Sequence, residues 1–281
     1  MTGIAIPKPV QLEGLIVANE PVSSGLIRID AELPSPLNFA PGQFAMLNLP
    51  GEHVWVFSRP FSILAVEGNI ISFLYRVVGR GTALMAALKI GDPLTMLGPL
   101  GQPFPTASEF ADRGAVLIAG GVGLPPLFNW LASQGRPGDI GFFGGRDGGD
   151  IPWDLLANQW QVSVDNVIDV PAGEEAWHGR VTELVAQHPA VQGDQNRVVL
   201  SCGPIPLLRA AASLAAERGW ECFVSLEEHM GCGYGVCKGC VIPVYSPDGG
   251  QRNATCCDEG PVFAAEQICW DQYGRPAVSE G

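Results

Sequence analysis

Hydrophobic and polar residues alternate over short runs in the first third of the chain. The runs at residues 25–29, 43–49 and 70–76 combine this alternation with β-branched residues, and Gly and Pro separate them. Alternation with a period of two is typical of strands that bury one face. The pattern therefore predicts a small antiparallel β-barrel, interrupted by one helix at residues 82–88.

The pattern changes after about residue 106. A continuous apolar run at residues 115–121 suits a strand buried on both faces of a parallel sheet, and helical periodicity follows at residues 124–133. Strands and helices then continue to alternate. Further strands are predicted at 140–144, 162–170, 197–200 and 221–225, and further helices at 153–158, 181–188 and 206–218. Repeated βα units predict a doubly wound parallel sheet.

Cysteines organise the last part of the chain. Cys232, Cys237 and Cys240 have the spacing C-x4-C-x2-C, and Cys257 follows after 16 intervening residues. This is the plant-type spacing of four thiolates around a [2Fe–2S] cluster. Interspersed glycines allow the loop to wrap closely around such a small group. The alternatives are disulfides or a zinc site, which typically uses two C-x2–4-C pairs. Cys256 beside Cys257 leaves the fourth ligand open.

These patterns predict a multi-domain chain with three units. Residues 1–106 form the antiparallel β-barrel, residues 107–226 the doubly wound α/β domain, and residues 227–281 a small cluster-binding subdomain.

Composition narrows the partners and the compartment. The formal charge of −13 and the absence of a Lys/Arg-rich block argue against a nucleic-acid partner. We find no apolar run that reads as a membrane span and no secretory signal among the first 12 residues, so no membrane association is expected. Eight cysteines in such a chain favour a reducing compartment. The predicted location is the cytoplasm.

Two motifs in the barrel are candidates for binding a phosphate-containing cofactor. Arg59-Pro60-Phe61-Ser62 places a cation and a hydroxyl at a strand end, and an Arg can clamp a pyrophosphate. Gly79-Arg80-Gly81-Thr82 opens the predicted helix, whose first amides can face a phosphate. The alternatives are an ordinary turn and an ordinary helix cap.

The α/β region contains candidates for a dinucleotide site. The turn Gly120-Gly121-Val122-Gly123 follows the first strand, where a pyrophosphate would bind; a tight turn alone is the alternative. Cys202-Gly203-Pro204 lies at the carboxyl edge of the sheet, and Cys202 is either a residue near the nicotinamide or a packing residue. After the second strand, Arg146 would suit a 2′-phosphate, whereas Asp147 or Asp150 would repel it, so NAD is favoured over NADP.

With these parts in this order, the chain resembles the ferredoxin–NADP reductase-like superfamily and, within it, the electron-transfer subunits of NAD-dependent (class 1B) dihydroorotate dehydrogenases. The resemblance covers nearly the whole chain, and its most specific carriers are the cysteine loop and the tail Gly260-Pro261-Val262-Phe263. The family tail usually reads Cys-x-Asp-Gly-Pro. Here Cys257-Asp258-Glu259-Gly260 moves the acid by one place.

The resemblance implies FAD, a [2Fe–2S] cluster and NAD as cofactors. The residues implied to bind FAD are Arg59, Pro60, Phe61, Ser62, Leu74, Tyr75, Arg76, Gly81 and Thr82. Those implied to hold the cluster are Cys232, Cys237, Cys240 and Cys257. Those that match the nicotinamide side are Gly120, Gly121, Gly123, Cys202, Gly203 and Pro204.

The resemblance also implies an oxidoreductase function. Electrons would pass from an FMN-containing catalytic partner, which oxidises dihydroorotate in pyrimidine biosynthesis, through the cluster to FAD and NAD⁺, in a heterotetramer of two plus two subunits. Alternatives with the same parts are the small subunit of an NADH-dependent ferredoxin–NADP oxidoreductase and the flavin subunit of a cytoplasmic hydrogenase. A non-catalytic, zinc-stabilised scaffold is an alternative of another class.

Overall fold

The computed structural model describes residues 8–49, 58–156, 159–193 and 196–274. Six antiparallel strands close into a barrel in the order β1-β2-β5-β4-β3-β6. Their bounds are β1 Val10–Pro21, β2 Ile27–Glu32, β3 Phe44–Asn48, β4 Arg59–Glu67, β5 Ile70–Tyr75 and β6 Pro93–Leu100. Inward-facing residues such as Ile16, Ile29 and Phe73 form the core, which also takes Met85 from helix α1 (Arg80–Ala86). The predicted barrel and its helix are confirmed.

A seven-stranded sheet follows, in the order β10-β9-β8-β7-β11-β12-β15. Its strands are β7 Gly114–Gly120, β8 Ile140–Gly145, β9 Trp160–Val164, β10 Trp177–His178, β11 Arg197–Cys202, β12 Glu221–Ser225 and β15 Val262–Ala264. The helices are α2 Leu124–Gln134, α3 Trp153–Leu156, α4 Val181–Gln187 and α5 Ile205–Arg218. Strands β7 to β12 run parallel, as predicted, because each is reached by a crossover connection.

Several predicted elements have different ends in the structure. The barrel helix predicted at residues 82–88 is α1, from Arg80 to Ala86, and the strand predicted at residues 197–200 is β11, which continues to Cys202. The strand predicted at residues 162–170 is β9, which ends at Val164. Beyond it Val167 and Ile168 are about 60% exposed, and the Ile168 carbonyl accepts a hydrogen bond from the Gly148 N–H at 2.7 Å, so the chain leaves the sheet to pack on the loop after β8. The helix predicted at residues 153–158 is α3, which ends at Leu156, and residues 157 and 158 lie outside the described residues.

The C-terminal region is built into the rest of the molecule. A hairpin of β13 (Val241–Tyr245) and β14 (Gln251–Thr255) follows the cysteine loop, and β15 then pairs antiparallel with β12 of the large sheet. The pattern analysis did not predict these strands. Their side chains share one hydrophobic core with the sheet and with barrel residues such as Met46. The cysteine region is therefore supported from two sides.

Within the described part of the chain, no helix combines the length and the apolar character that crossing a membrane requires.

Candidate functional site

The four predicted cluster ligands come together in two pairs. The thiol of Cys232 interacts with that of Cys237, and the thiol of Cys240 with that of Cys257. Two pairs of thiols fit a cluster with two irons, each of which takes two thiolates.

Backbone amides point at the sulfurs of these cysteines. The Gly235 N–H donates to Cys257 Sγ at 3.1 Å, and the Cys257 N–H donates to Cys240 Sγ at 3.4 Å. The Cys237 N–H donates to Cys232 Sγ at 3.5 Å. Burial raises the pKa of Cys232, but the amides of Cys237 and its neighbours outweigh this and lower that pKa to about 7. Such donors stabilise thiolates, the form that binds iron.

Two glycines shape the loop around the cysteines. Gly233 has φ +85°, and a Cβ there would lie 2.4 Å from Cγ of Met46 on β3. Gly235 has φ +80°, and its Cβ would lie 2.8 Å from a carboxylate oxygen of Asp258. Both positions need glycine for the backbone conformation and for space. The loop consequently packs directly against the barrel.

The adjacent cysteines Cys256 and Cys257, of which one is needed as the fourth ligand, have different surroundings. Cys256 Sγ donates to the carbonyl of Leu226 at 3.6 Å, and burial raises the pKa of Cys256. Cys257 Sγ receives the Gly235 amide and faces Cys240, although burial and Cys240 raise its pKa to about 12. The donor set at Cys257 is the one that fits a cluster ligand.

In the barrel, the Arg59 motif and the start of α1 lie side by side. A Cβ at Gly81 would lie 2.5 Å from Cζ of Arg59, so the guanidinium rests on this glycine. Thr82 caps its own helix, since its hydroxyl accepts the Val78 N–H at 2.9 Å. The structure thus brings together two motifs that are separated by 16 residues in sequence. An arginine beside the first amides of a helix fits a pyrophosphate.

The remaining barrel candidates lie on β4 and β5. Phe61 packs edge-on against Tyr75, with ring centroids 6.3 Å apart, while Pro60 and Ser62 are half-buried on β4. The hydroxyl of Tyr75 donates to Asn19 Oδ1 at 3.0 Å, and burial raises the pKa of Tyr75 to about 12. Leu74 is also buried. The side chains of Leu74 and Tyr75 therefore belong to the core.

A cavity of about 690 Å³ lies at the carboxyl edge of the parallel sheet. The predicted residues Gly120, Gly121, Gly203 and Pro204 line it. The other two predicted residues lie behind its wall: a Cβ at Gly123 would be 2.2 Å from the carbonyl oxygen of Cys202. The glycine turn and the Cys-Gly-Pro motif are therefore packed on each other, and only glycine at position 123 permits that approach.

The thiol of Cys202 does not face this cavity. It is fully buried near Ser225 and Glu227, and burial, with a smaller effect of the Glu227 carboxylate, raises the pKa of Cys202. Of the two interpretations of Cys202, the geometry supports the packing residue. Glu227 itself lines the cavity and is exposed there. Protein surrounds the other sides of its carboxylate, and this partial burial raises the pKa of Glu227.

Several charged residues of the cavity were missed in the sequence. They are Asp165, Arg180 and Glu227, whereas Arg76, which was predicted as an FAD residue, also lines the cavity. Asp165 directly follows Val164, the last residue of β9. The predicted strand continued to residue 170, so the sequence analysis did not place Asp165 at the edge of the sheet. Arg146 donates to both carboxylate oxygens of Asp150, at 2.7 and 3.1 Å, and these bonds lower the pKa of Asp150 despite its burial. Both carboxylate oxygens of Asp150 therefore already accept a hydrogen bond from protein.

Comparison with known proteins agrees with this geometry. Residues 227–269 match the family model described as the iron–sulfur cluster binding domain of dihydroorotate dehydrogenase B. The electron transfer subunit of dihydroorotate dehydrogenase B (NAD(+)) from Bacillus cereus (strain AH187) is 31% identical over 242 residues, which is 81% of this chain and 86% of the relative. The subunit of the same name from Fusobacterium nucleatum subsp. nucleatum is 30% identical over 235 residues, with the same two shares.

Solved structures share the fold. A structure of the NADH-dependent reduced ferredoxin-NADP oxidoreductase aligns with a TM-score of 0.74 at 22% identity, covering 96% of this chain and 92% of that chain. A ferredoxin NADP+ reductase from Neisseria gonorrhoeae aligns with a TM-score of 0.60 at 17% identity, covering 76% and 92%. The predicted fold class is confirmed: a barrel, a doubly wound sheet and an iron–sulfur region.

The chain thus has the fold of the ferredoxin reductases with an iron–sulfur binding region added at residues 227–269. By its relatives, the chain belongs to the family of electron transfer subunits of dihydroorotate dehydrogenase B (NAD⁺). The predicted family and enzyme class are confirmed, and FAD, [2Fe–2S] and NAD are the cofactors that this family and fold support. Membership as a subunit implies a catalytic partner. The individual site residues and the domain limits stay predictions.

Proposed function

We propose that this chain carries electrons between the FMN of a catalytic partner, which oxidises dihydroorotate, and NAD⁺. The supporting observation is that both candidate centres adjoin the barrel. On one side Gly233 of the cysteine loop packs against Met46, and on another Arg76, which follows β5, lines the cavity of the parallel sheet. A barrel that holds FAD would therefore lie between a one-electron and a two-electron site. The complete assembly contains two copies of each subunit.

The cluster is held by Cys232 and Cys237 on one iron and by Cys240 and Cys257 on the other. Cys257, not Cys256, is the fourth ligand, since its sulfur receives the Gly235 amide and faces Cys240. These amides stabilise the negative charge that the thiolates carry.

FAD is held in the barrel by Arg59, Pro60, Phe61, Ser62, Leu74, Tyr75, Gly81 and Thr82. Arg59 clamps the diphosphate beside Gly81, while the buried Leu74 and Tyr75 contribute through their backbone. When bound, FAD would supply the exchange of a hydride with NAD(H) and of single electrons with the cluster.

The cavity at the sheet edge binds NAD. Gly120, Gly121 and Gly123 form the turn that takes the diphosphate, and Gly203 and Pro204 close the opposite wall, with Cys202 packed behind it. Arg146 gives its donors to Asp150, which supports NAD over NADP because this cation is already paired.

The three parts correspond to residues 1–106 for FAD, 107–226 for NAD and 227–281 for the cluster. None of the eight cysteines forms a disulfide, which supports a reducing compartment and hence the cytoplasm.

The test is co-expression with an FMN-containing dihydroorotate dehydrogenase catalytic subunit, followed by an anaerobic assay of dihydroorotate-dependent NAD⁺ reduction. We expect flavin and [2Fe–2S] absorption bands that NADH bleaches. In the control assay, ferredoxin replaces the partner subunit and NADP⁺ replaces NAD⁺. Turnover in the control assay alone would contradict the proposal. A purified chain that holds zinc and no flavin would also contradict it.

A further inference from the structure

The segment that follows Cys257 is tied to the end of the barrel. Gln102 lies two residues beyond the end of β6, and its N–H donates to the Gly260 carbonyl at 2.6 Å. Gln102 also forms an isolated parallel bridge with Pro261. A Cβ at Gly101 would lie 2.5 Å from Cδ of Pro261, so the two backbones approach closely. The barrel therefore holds the chain a few residues after the proposed fourth ligand.

The side chain of Gln102 reaches still nearer to that ligand. Its Nε2 donates to the carbonyl oxygen of Asp258 at 3.0 Å, and Asp258 directly follows Cys257. Gln102 is half-buried, and together with Gly233, Cys257 and Asp258 it lines a groove of about 160 Å³ between the barrel and the cysteine loop. Because this groove leaves space beside Cys257, the hydrogen bond from Gln102 restrains the backbone where close packing does not.

The side chain of Asp258 contacts the cysteine loop. A Cβ at Gly235 would lie 2.8 Å from Oδ2 and 2.9 Å from Cβ of Asp258, so the two residues lie directly against each other. The Gly235 N–H in turn donates to Cys257 Sγ at 3.1 Å. Asp258 is thus held by Gln102 through its backbone and supports Gly235 with its side chain. A displacement of Asp258 would move both the sulfur and the amide that points at it.

We propose that Gln102 is a positioning residue for the cluster: its side-chain amide fixes Asp258 and thereby keeps the Gly235 N–H directed at the sulfur of Cys257. The inference rests on the proposed function, in which Cys257 is a cluster ligand, and deepens it. Reduction adds negative charge to a cluster, and N–H donors to the sulfurs stabilise that charge and raise the reduction potential. The barrel that would hold FAD therefore also adjusts the potential of the centre with which FAD exchanges electrons.

The test is a redox titration of the FAD- and iron-loaded full chain, followed by the electron paramagnetic resonance signal of the reduced cluster. Gln102→Met removes the donor at nearly constant side-chain length. We expect the equilibrium constant for reduction of the cluster to fall about tenfold, which is a potential more negative by about 59 mV for one electron. Gln11→Met is the control and should leave the potential unchanged, since Gln11 is exposed on β1 and is not among the described residues that line the groove.

Iron and FAD contents of each variant separate the outcomes. A more negative potential in Gln102→Met with full iron and FAD supports the inference. If that variant fails to fold, the same result for Gln102→Asn, whose amide is one methylene too short, supports it. An unchanged or raised potential overturns it while the cluster assignment stands. Loss of iron from both variants makes Gln102 a residue of cluster retention and also overturns it. A wild type without a [2Fe–2S] signal removes the proposed cluster, and the inference with it.

Discussion

The cysteine loop and the sheet-edge cavity are built in different ways. Three of the four cysteine ligands lie within nine consecutive residues, and backbone amides of the same loop point at their sulfurs. The cavity is lined by residues from the ends of β7, β8 and β11, from the segment after β9 and from the barrel, spread between Arg76 and Glu227. One site is a short segment, and the other is an arrangement of distant segments.

The difference shows which changes each site will tolerate. A site made by one loop depends on ligand identity and on the loop's own conformation. A site made by several strand ends depends on how closely those ends pack, so a residue that touches no ligand can abolish it. Substitutions in the cysteine loop and around the cavity can test this difference, and the largest effect is expected in the loop.

The neighbours Cys256 and Cys257 offer a direct test of the loop. We expect Cys257→Ser to lose most of its iron and acid-labile sulfide because a hydroxyl is a poor ligand for this cluster, while FAD is retained. Cys256→Ser is the matched control, since both thiols are buried and adjacent, and it should keep its iron. The reverse result would move the ligand to Cys256.

Packing behind the cavity is tested with Gly123→Ala. The new Cβ would lie 2.2 Å from the Cys202 carbonyl oxygen, so the glycine turn must move away from β11. We expect ADP-ribose affinity to fall about tenfold because the displaced turn no longer presents its amides to the diphosphate, with unchanged iron content. Gly138→Ala is the control for strain away from the cavity, since nothing lies within 4 Å of its new Cβ although the φ of +96° disfavours alanine. Equal binding by both variants would contradict an assembled cavity.

The domain boundary is tested with Asp150→Asn. Its bonds to Arg146 lower the pKa of Asp150 in the folded chain, so the stabilisation is present above the unfolded pKa near 3.8 and is lost as the pH falls through the lower folded value. Urea unfolding should show a loss of roughly 1–3 kcal/mol at pH 7 that shrinks below about pH 3.8. Asp30→Asn removes the more exposed partner of Arg28 and should cost less. A pH-independent difference would argue against the ion pair.

The smallest effect is expected at Cys202. Because its thiol is buried behind the cavity and burial raises its pKa, Cys202→Ala should change ADP-ribose affinity by no more than about twofold. In the native chain at pH 8, mass spectrometry after iodoacetamide treatment should find Cys202 unmodified. Rapid labelling of Cys202, slowed by ADP-ribose, would instead place the thiol in the binding site.

The outcome for particular residues shows how far pattern analysis reaches. The cysteine spacing and the order of strands and helices led to the family, the barrel and the parallel sheet. Asp165 was missed because Val167, Ile168 and Val170 continue an apolar pattern that reads as a strand, although the chain has left the sheet after Val164. β15 was missed since three residues carry too little periodicity, and its pairing with β12 comes from chain folding.

The sequence by itself determined the chemistry of the cluster loop, because ligand spacing and glycine positions act over a few residues along one backbone. It also determined the βα order that makes the sheet parallel. Only the tertiary structure decided that Arg59 rests on Gly81, that Cys202 lies behind the cavity and that Arg76 crosses to the α/β domain. Such contacts join residues that are far apart in the chain, so they depend on how whole strands and helices pack. The local pattern of hydrophobic and polar residues does not predict them.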